Sequence, residues 1–152
     1  MIGCVSSEQT LPTIRIVTWP GQPQVSEYLD GALVWSPLGF GATLDEQDQP
    51  ECARGWYVTG ETDCVLTIGV QRVPNLRETA GTSALSNRAE RSVVIDSRLS
   101  GYDLILAMAH ETGHIVLDTP SHTQGGVMGG ASTRLEQVDY ELACEAIGYG
   151  CQ

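Results

Sequence analysis

Residues 110–130 read HETGHIVLDTPSHTQGGVMGG and hold all three histidines of the chain. His110 and His114 are four apart, so on a helix their imidazoles project from one face about one turn apart, within reach of one metal ion. Glu111 follows the first histidine and points just beside that face, where its carboxylate can take a proton from a water molecule. The preceding LSGYDLILAMA (99–109) is apolar around much of its circumference, which predicts a buried central helix. Ser100 with Asp103 three residues on has the outline of an N-terminal capping box. Two imidazoles and a carboxylate on such a helix are costly unless they have a partner.

A catalytic zinc takes three protein ligands and leaves one position for water. His122 is the favoured third ligand: Pro120 must break the helix, and the turned chain can bring His122 back. Asp118, Glu141 and Glu145 remain alternatives. Asp118 requires the helix to end sharply, and either glutamate requires a later helix to return to the site.

Outward from this stretch, TIRIVTWP (13–20) alternates Ile14 and Ile16 with Arg15 and Val17, which predicts a strand ended by Pro20. PQVSEYLDGALVWSPLGF (23–40) spaces Val25, Tyr28, Leu29, Ala32, Leu33 and Trp35 as one face of a helix. LDEQDQPE (44–51) reads as an acidic loop, WYVT and CVLTIGV as strands around the turn GETD, and VPNLRETAGT (73–82) as irregular. TSALS (82–86) and RSVVIDS (91–97) read as two strands joined across NRAER. STRLEQVDYELACEAIG (132–148) reads as a last helix capped by Ser132, with Leu135, Val138, Leu142, Ala143 and Ile147 facing inward and Gly148 at its end. The order of elements predicts an α+β fold with a mixed β-sheet, an active-site helix and a C-terminal helix. It is expected as a single domain over 13–152, preceded by a tether over 1–12.

The 152 residues suffice for one core, and 41% hydrophobic with 18% charged residues is an ordinary globular balance. A formal charge of −11 disfavours nucleic acid and anionic membrane surfaces as partners. All eight basic residues are arginines. The five cysteines lack CxxC spacing and read as disulfides, with Cys52–Cys64 and Cys144–Cys151 the preferred pairs and an extracytoplasmic location implied. Cys4 is left over, in a string IGC that resembles the end of a bacterial lipoprotein signal, so a lipid anchor at Cys4 on a bacterial envelope protein is an expectation. No run is long enough to span a membrane, and a monomer is expected.

HETGH followed by GVMGG resembles the metzincin zinc proteases, the clan of matrix metalloproteases and astacins. Their pattern is HExxHxxGxxH with a later methionine in a tight turn. The resemblance implies His110, His114 and His122 as ligands of Zn2+, Glu111 as general base, and Met128 as the Met-turn residue beneath the metal. It implies an endopeptidase that binds an extended peptide or protein substrate along an edge strand, here TSALS, with GGASTR (129–134) walling the pocket beyond the cut. Tyr140 or Tyr149 could assist at the metal. This chain departs from the pattern at Leu117, where the clan has glycine, and at Pro120, where it has histidine. The alternatives to a protease are a non-catalytic zinc-binding envelope or surface protein, and a zinc hydrolase of non-peptide amides.

Overall fold

A computed structural model describes residues 11–151 of the chain. Its core is a five-stranded sheet. The strands are β1 (Thr13–Thr18), β2 (Gly41–Leu44), β3 (Val65–Val73), β4 (Ala84–Asn87) and β5 (Ser92–Asp96), arranged in the order β2-β1-β3-β5-β4. β1 pairs in parallel with β2 and β3, and β3 in parallel with β5; β4 alone runs antiparallel, at one edge. Together with five helices this makes a mixed α+β domain.

The period of two in the strands decides which face is buried. Ile14 and Ile16 on β1, Leu66, Ile68 and Val70 on β3, and Val93 and Ile95 on β5 are all fully buried. They lie in one hydrophobic core with the inner faces of helices α1 (Ser26–Leu33) and α4 (Gly101–Val116). Complete burial of each such aliphatic side chain contributes about 1.5–3 kcal/mol. On α1 the buried residues are Tyr28, Gly31 and Ala32, whereas Leu33, expected inward, is exposed. α4 crosses α1 closely enough that a Cβ on Gly31 would stand 2.6 Å from the Met108 Cβ. The middle of α4 is thereby pressed between α1 and the β5–β4 edge of the sheet.

Several local expectations are corrected. WYVT forms no strand; Trp56–Thr59 is a single helical turn, α2, between Gly55 and Gly60. Its β-favouring side chains are overruled by tertiary packing, since Trp56 is buried edge-on against both Phe40 and Tyr57. β3 therefore has no hairpin partner and pairs with β1 and β5. Within the stretch read as irregular, Leu76–Ala80 forms a short helix, α3. β2 was not anticipated, because GATL carries no alternating pattern. The last helix, α5 (Gln137–Ile147), starts after Glu136 rather than after Ser132, and its capping box pairs Glu136 with Asp139. α4 begins after Ser100, but no Ser100 side-chain cap forms.

Cys52 and Cys64 are joined, as are Cys144 and Cys151, with Cα–Cα distances of 4.9 and 4.8 Å. Both are the expected pairs, and such bonds persist in oxidising compartments. Leu11 and Pro12, read as the end of the tether, are buried in the domain instead, with the Leu11 N–H donating to the Gly39 carbonyl at 3.2 Å. Cys4 and the rest of the tether lie outside the described residues. Among the described residues no helix is long and apolar enough to cross a membrane.

Candidate metal centre

The second half of α4 is nearly all buried, and His110 and His114 come from it at the predicted one-turn spacing. Their Nε2 atoms stand 3.2 Å apart, and the His114 Nε2 is also 3.2 Å from the Nε2 of His122. His122 comes from the segment after the helix, and its ring stacks against that of His110 at a centroid distance of 5.1 Å. Asp118, Glu141 and Glu145 do not join this cluster. Glu141 and Glu145 lie exposed on α5, and Asp118 is held elsewhere, as described below. A second group, Cys52, Glu61 and Cys64, also falls within ligand spacing, but its two sulfurs are consumed in the disulfide.

The orientation of the imidazoles is set by their other nitrogens. The His110 Nδ1 lies 2.9 Å from the Val127 carbonyl oxygen, and the His114 Nδ1 2.8 Å from that of Thr119. Carbonyls only accept, so each Nδ1 carries the proton and each Nε2 presents a lone pair to the cluster. Lone pairs converging at 3.2 Å repel unless a cation lies among them. Two nitrogens each about 2.0–2.1 Å from a tetrahedral zinc stand about 3.3 Å apart, so the spacing and the donor set both fit such an ion. Burial holds the His114 pKa below the ordinary imidazole value, and His110 and His122 push it the same way against the Thr119 hydrogen bond.

Each of those carbonyls is fixed in turn. Asp118 has φ +48°, a left-handed conformation that favours glycine. Asp tolerates this region better than most residues. The Asp118 N–H donates to Ile115 and the Thr119 N–H to His114, at 3.2 and 3.1 Å, which together form a Schellman closure of α4. Thr119 and His114 thus bond each other in both directions, backbone to backbone and carbonyl to imidazole. Arg88 locks the turn by donating from Nη1 to the Asp118 carbonyl and carboxylate at 3.2 and 3.1 Å, and the Tyr57 hydroxyl donates to the other carboxylate oxygen at 3.4 Å. Burial, followed by repulsion from Asp118, raises the Tyr57 pKa.

On the other side, the Val127–Met128 turn is held by Asp139, a fully buried carboxylate three residues into the capping box of α5. It accepts from the Val127, Met128 and Glu136 amides, each at 2.9 Å. Gly126 precedes the turn at φ +70°, and a Cβ there would come within 2.9 Å of the Asp139 Oδ1, so glycine is needed for conformation and for space. Met128 is fully buried, and a side chain on Gly113 would collide with the Met128 sulfur and with Trp35. The Trp35 indole N–H donates to the Ala109 carbonyl at 2.9 Å, tying the end of α1 to the helix just before His110.

No protein-family model matches this chain, and no curated protein matches it in sequence. The geometry of the site stands on its own.

Glu111 is buried to 8% exposure beside the histidines, and that burial raises its pKa, with a Ser86 hydrogen bond and His110 and His122 opposing. It faces open space. One cleft of about 650 Å³ has His110, Glu111, Leu106, Ala107 and Gly130 among its lining residues, and another of about 390 Å³ has Glu111, His114, His122, Ser86 and Arg88. The smaller runs along Ala84, Leu85 and Ser86 of β4, the antiparallel edge strand that contains most of TSALS, and the larger continues past Thr82, Ser83 and Ala84 at the start of that strand. Of the segment expected to wall a pocket, Gly130 lines the larger cleft. Tyr140 and Tyr149 line neither, and Tyr149 packs on Trp56 instead. Sequence reading missed Asp139, Arg88 and Tyr57. For Asp139 a signal existed: an acidic residue three after Glu136, at the true start of α5, is the pattern of a capping box.

Proposed function

We propose that this chain is a zinc-dependent endopeptidase of metzincin type, acting in an extracytoplasmic compartment. The observation that carries the reading is the convergence of three imidazole Nε2 atoms beside a buried carboxylate, at a groove that runs along a free strand edge. The cluster has three side-chain ligands and no fourth His, Cys, Asp or Glu among the described residues, which suits a catalytic centre rather than a closed structural one. A carboxylate adjacent to the ligands has no use in a purely structural site. The two disulfides support the compartment.

Zinc, when bound by His110, His114 and His122, supplies Lewis-acid polarisation of the scissile carbonyl and lowers the pKa of a water. Glu111 takes the proton of the attacking water and returns it to the departing amine. The Val127 and Thr119 carbonyls keep His110 and His114 in the tautomer whose Nε2 is free. The edge of β4 offers main-chain hydrogen bonds to an extended peptide, which places the scissile bond over the cluster.

The test is metal analysis joined to peptide-library cleavage, for the wild type, Glu111→Gln and His122→Ala. The expected result is one equivalent of zinc in the wild type and in Glu111→Gln, cleavage by the wild type only, and loss of most zinc from His122→Ala. A wild type that holds zinc and cleaves nothing in a broad library rules out the protease reading.

A further inference from the structure

The two clefts share Thr82, Ala84, His110 and Glu111, so they form one groove that passes the candidate metal centre on both sides. Its two ends differ in charge. At the larger end, Arg98 is neutralised by Asp96 and Glu78, and Arg77 shares the lining with Asp103. At the smaller end Arg88 is, among the described residues, the one ionisable side chain lining the wall apart from the histidines and Glu111; it too is ion-paired, but its partner Asp118 lies outside that lining.

Arg88 is unusual in how it is held. Its bonds to Asp118 both come from Nη1, and the other guanidinium nitrogens have no protein acceptor among the described residues. The side chain keeps 40% of its surface exposed. Asp118 does not line this cleft; it lies behind, in a small depression with Arg54, Arg88 and Arg91, where it is the one carboxylate among the described lining residues. The guanidinium is therefore anchored through Nη1, and its remaining donors are unpaired by protein among the described residues on a side chain that lines the groove. Arg54 and Arg91 line the depression behind but not the groove, and Arg91 is paired with Glu51, so Arg88 is the one arginine among the described residues that reaches this end of the groove. A carboxylate entering there meets a fixed, partly desolvated cation, whereas a cationic side chain meets repulsion and the acceptor-free edge of Arg88.

We propose that Arg88 selects substrates carrying an aspartate or glutamate side chain at the groove end next to His114 and His122, so that the enzyme is a peptidase of acidic sequences. The inference rests on the endopeptidase reading. Arg88 contacts the substrate directly in this role, and its tie to Asp118 serves to aim it.

The experiment uses the zinc-loaded full chain and peptide sets identical except for Glu, Gln or Lys, placed in turn at each of three positions on either side of the cleaved bond. The expected result is one position at which Glu exceeds Gln in kcat/KM by roughly tenfold, the scale of one partly exposed charge-assisted hydrogen bond, with Lys lowest. In Arg88→Gln that preference collapses, in Arg88→Lys part of it survives, and in Asp118→Asn it persists, because the main-chain carbonyl and the amide oxygen at position 118 still accept from Arg88 and keep it aimed. Indistinguishable rates for Glu and Gln at every position on the wild-type protein overturn the proposal, whatever the variants do. Equal loss of preference in Asp118→Asn and Arg88→Gln also overturns it, since Arg88 would then act only through the helix exit. The same peptides are titrated by fluorescence anisotropy onto zinc-loaded Glu111→Gln. No cleavage of any peptide by the zinc-loaded wild type, together with tighter Glu-peptide binding to Glu111→Gln that depends on Arg88, refutes the protease reading and upholds the acidic selectivity; wild-type cleavage without that selectivity does the reverse.

Discussion

Asp139 makes no contact with the imidazoles, yet its replacement is expected to reach them. The carboxylate is completely buried and accepts three amide N–H groups at 2.9 Å, with Oδ2 serving Val127 and Glu136 and Oδ1 serving Met128. In Asp139→Asn the side chain keeps its shape but has only one acceptor oxygen. The least costly arrangement leaves that oxygen on Val127 and Glu136 and turns the amide NH2 toward the Met128 N–H. One hydrogen bond to a charged acceptor is lost and a buried donor is left facing another, a cost of about 1.5–3 kcal/mol. For a domain of this size that lowers Tm by roughly 4–10 °C. The Val127 carbonyl, which accepts from the His110 Nδ1, moves with its peptide plane, and disturbance of such a supporting bond lowers metal affinity about 10–100-fold. The assays are urea unfolding of the metal-free protein and competition for Zn2+ against a chromophoric chelator. Metal-free stability within 0.5 kcal/mol of wild type, together with unchanged zinc affinity, would refute the claim that α5 holds the site through this carboxylate.

Gly113→Ala places a methyl group where the Met128 sulfur and the Trp35 ring already sit, and is expected to cost about 1–3 kcal/mol by overpacking; a variant that melts with the wild type would show that the helix, Trp35 and Met128 are not in close contact. The Cys52–Cys64 bond closes a loop with a sequence separation of 12, and its removal by paired serine substitution is expected to cost about 3 kcal/mol, read from denaturant midpoints at unchanged slope. Asp96 is held well below the usual carboxylate range by its bonds to the Arg98 side chain and to the Arg98 and Arg77 amides. Because its folded pKa lies below the unfolded value near ~3.9, it stabilises the fold fully above that value and loses this contribution as pH falls further. The stability gap between wild type and Asp96→Asn is therefore flat from pH 7 to about 5 and narrows below about 4; a gap independent of pH down to 2 would contradict this.

What the sequence made legible is what periodicity governs. The 3.6-residue repeat placed two imidazoles on one face of α4, and the two-residue repeat in β1 set Ile14 and Ile16, both fully buried, on one side of the strand. Where contacts distant in sequence decide, the reading failed. Trp56 and Tyr57 favour strands by themselves, but a disulfide 12 residues wide and packing against Phe40 wind them into a turn. Leu33 fits the helical stripe of α1 but remains 39% exposed, while Tyr28, Gly31 and Ala32 are the buried residues of the helix. The capping-box spacing marks Asp139 as a helix-start residue, but not its bonds to a turn 11 to 12 residues earlier. No local pattern reports that a carboxylate will be met by amides from another segment.

The departure from the HExxHxxGxxH pattern becomes interpretable at the end of α4. In that pattern the glycine stands three residues after the second histidine, and the third histidine stands three after the glycine. Here the left-handed position belongs to Asp118, four after His114, and His122 follows four later. The two extra residues are thus divided, one lengthening the helix before its reversal and one lengthening the return. Each is absorbed without moving the donors: the Schellman bonds close the longer helix, and the Thr119 carbonyl, carried one step past the turn, becomes the anchor of the His114 ring. A glycine would reach the left-handed conformation at no steric cost but would leave Arg88 only the main-chain carbonyl and Tyr57 nothing to hold. An aspartate costs on the order of 1 kcal/mol in that conformation and offers a carboxylate that Arg88 and Tyr57 hold. The aspartate at the turn thus ties Arg88, a side chain that lines the groove, to the exit of the helix.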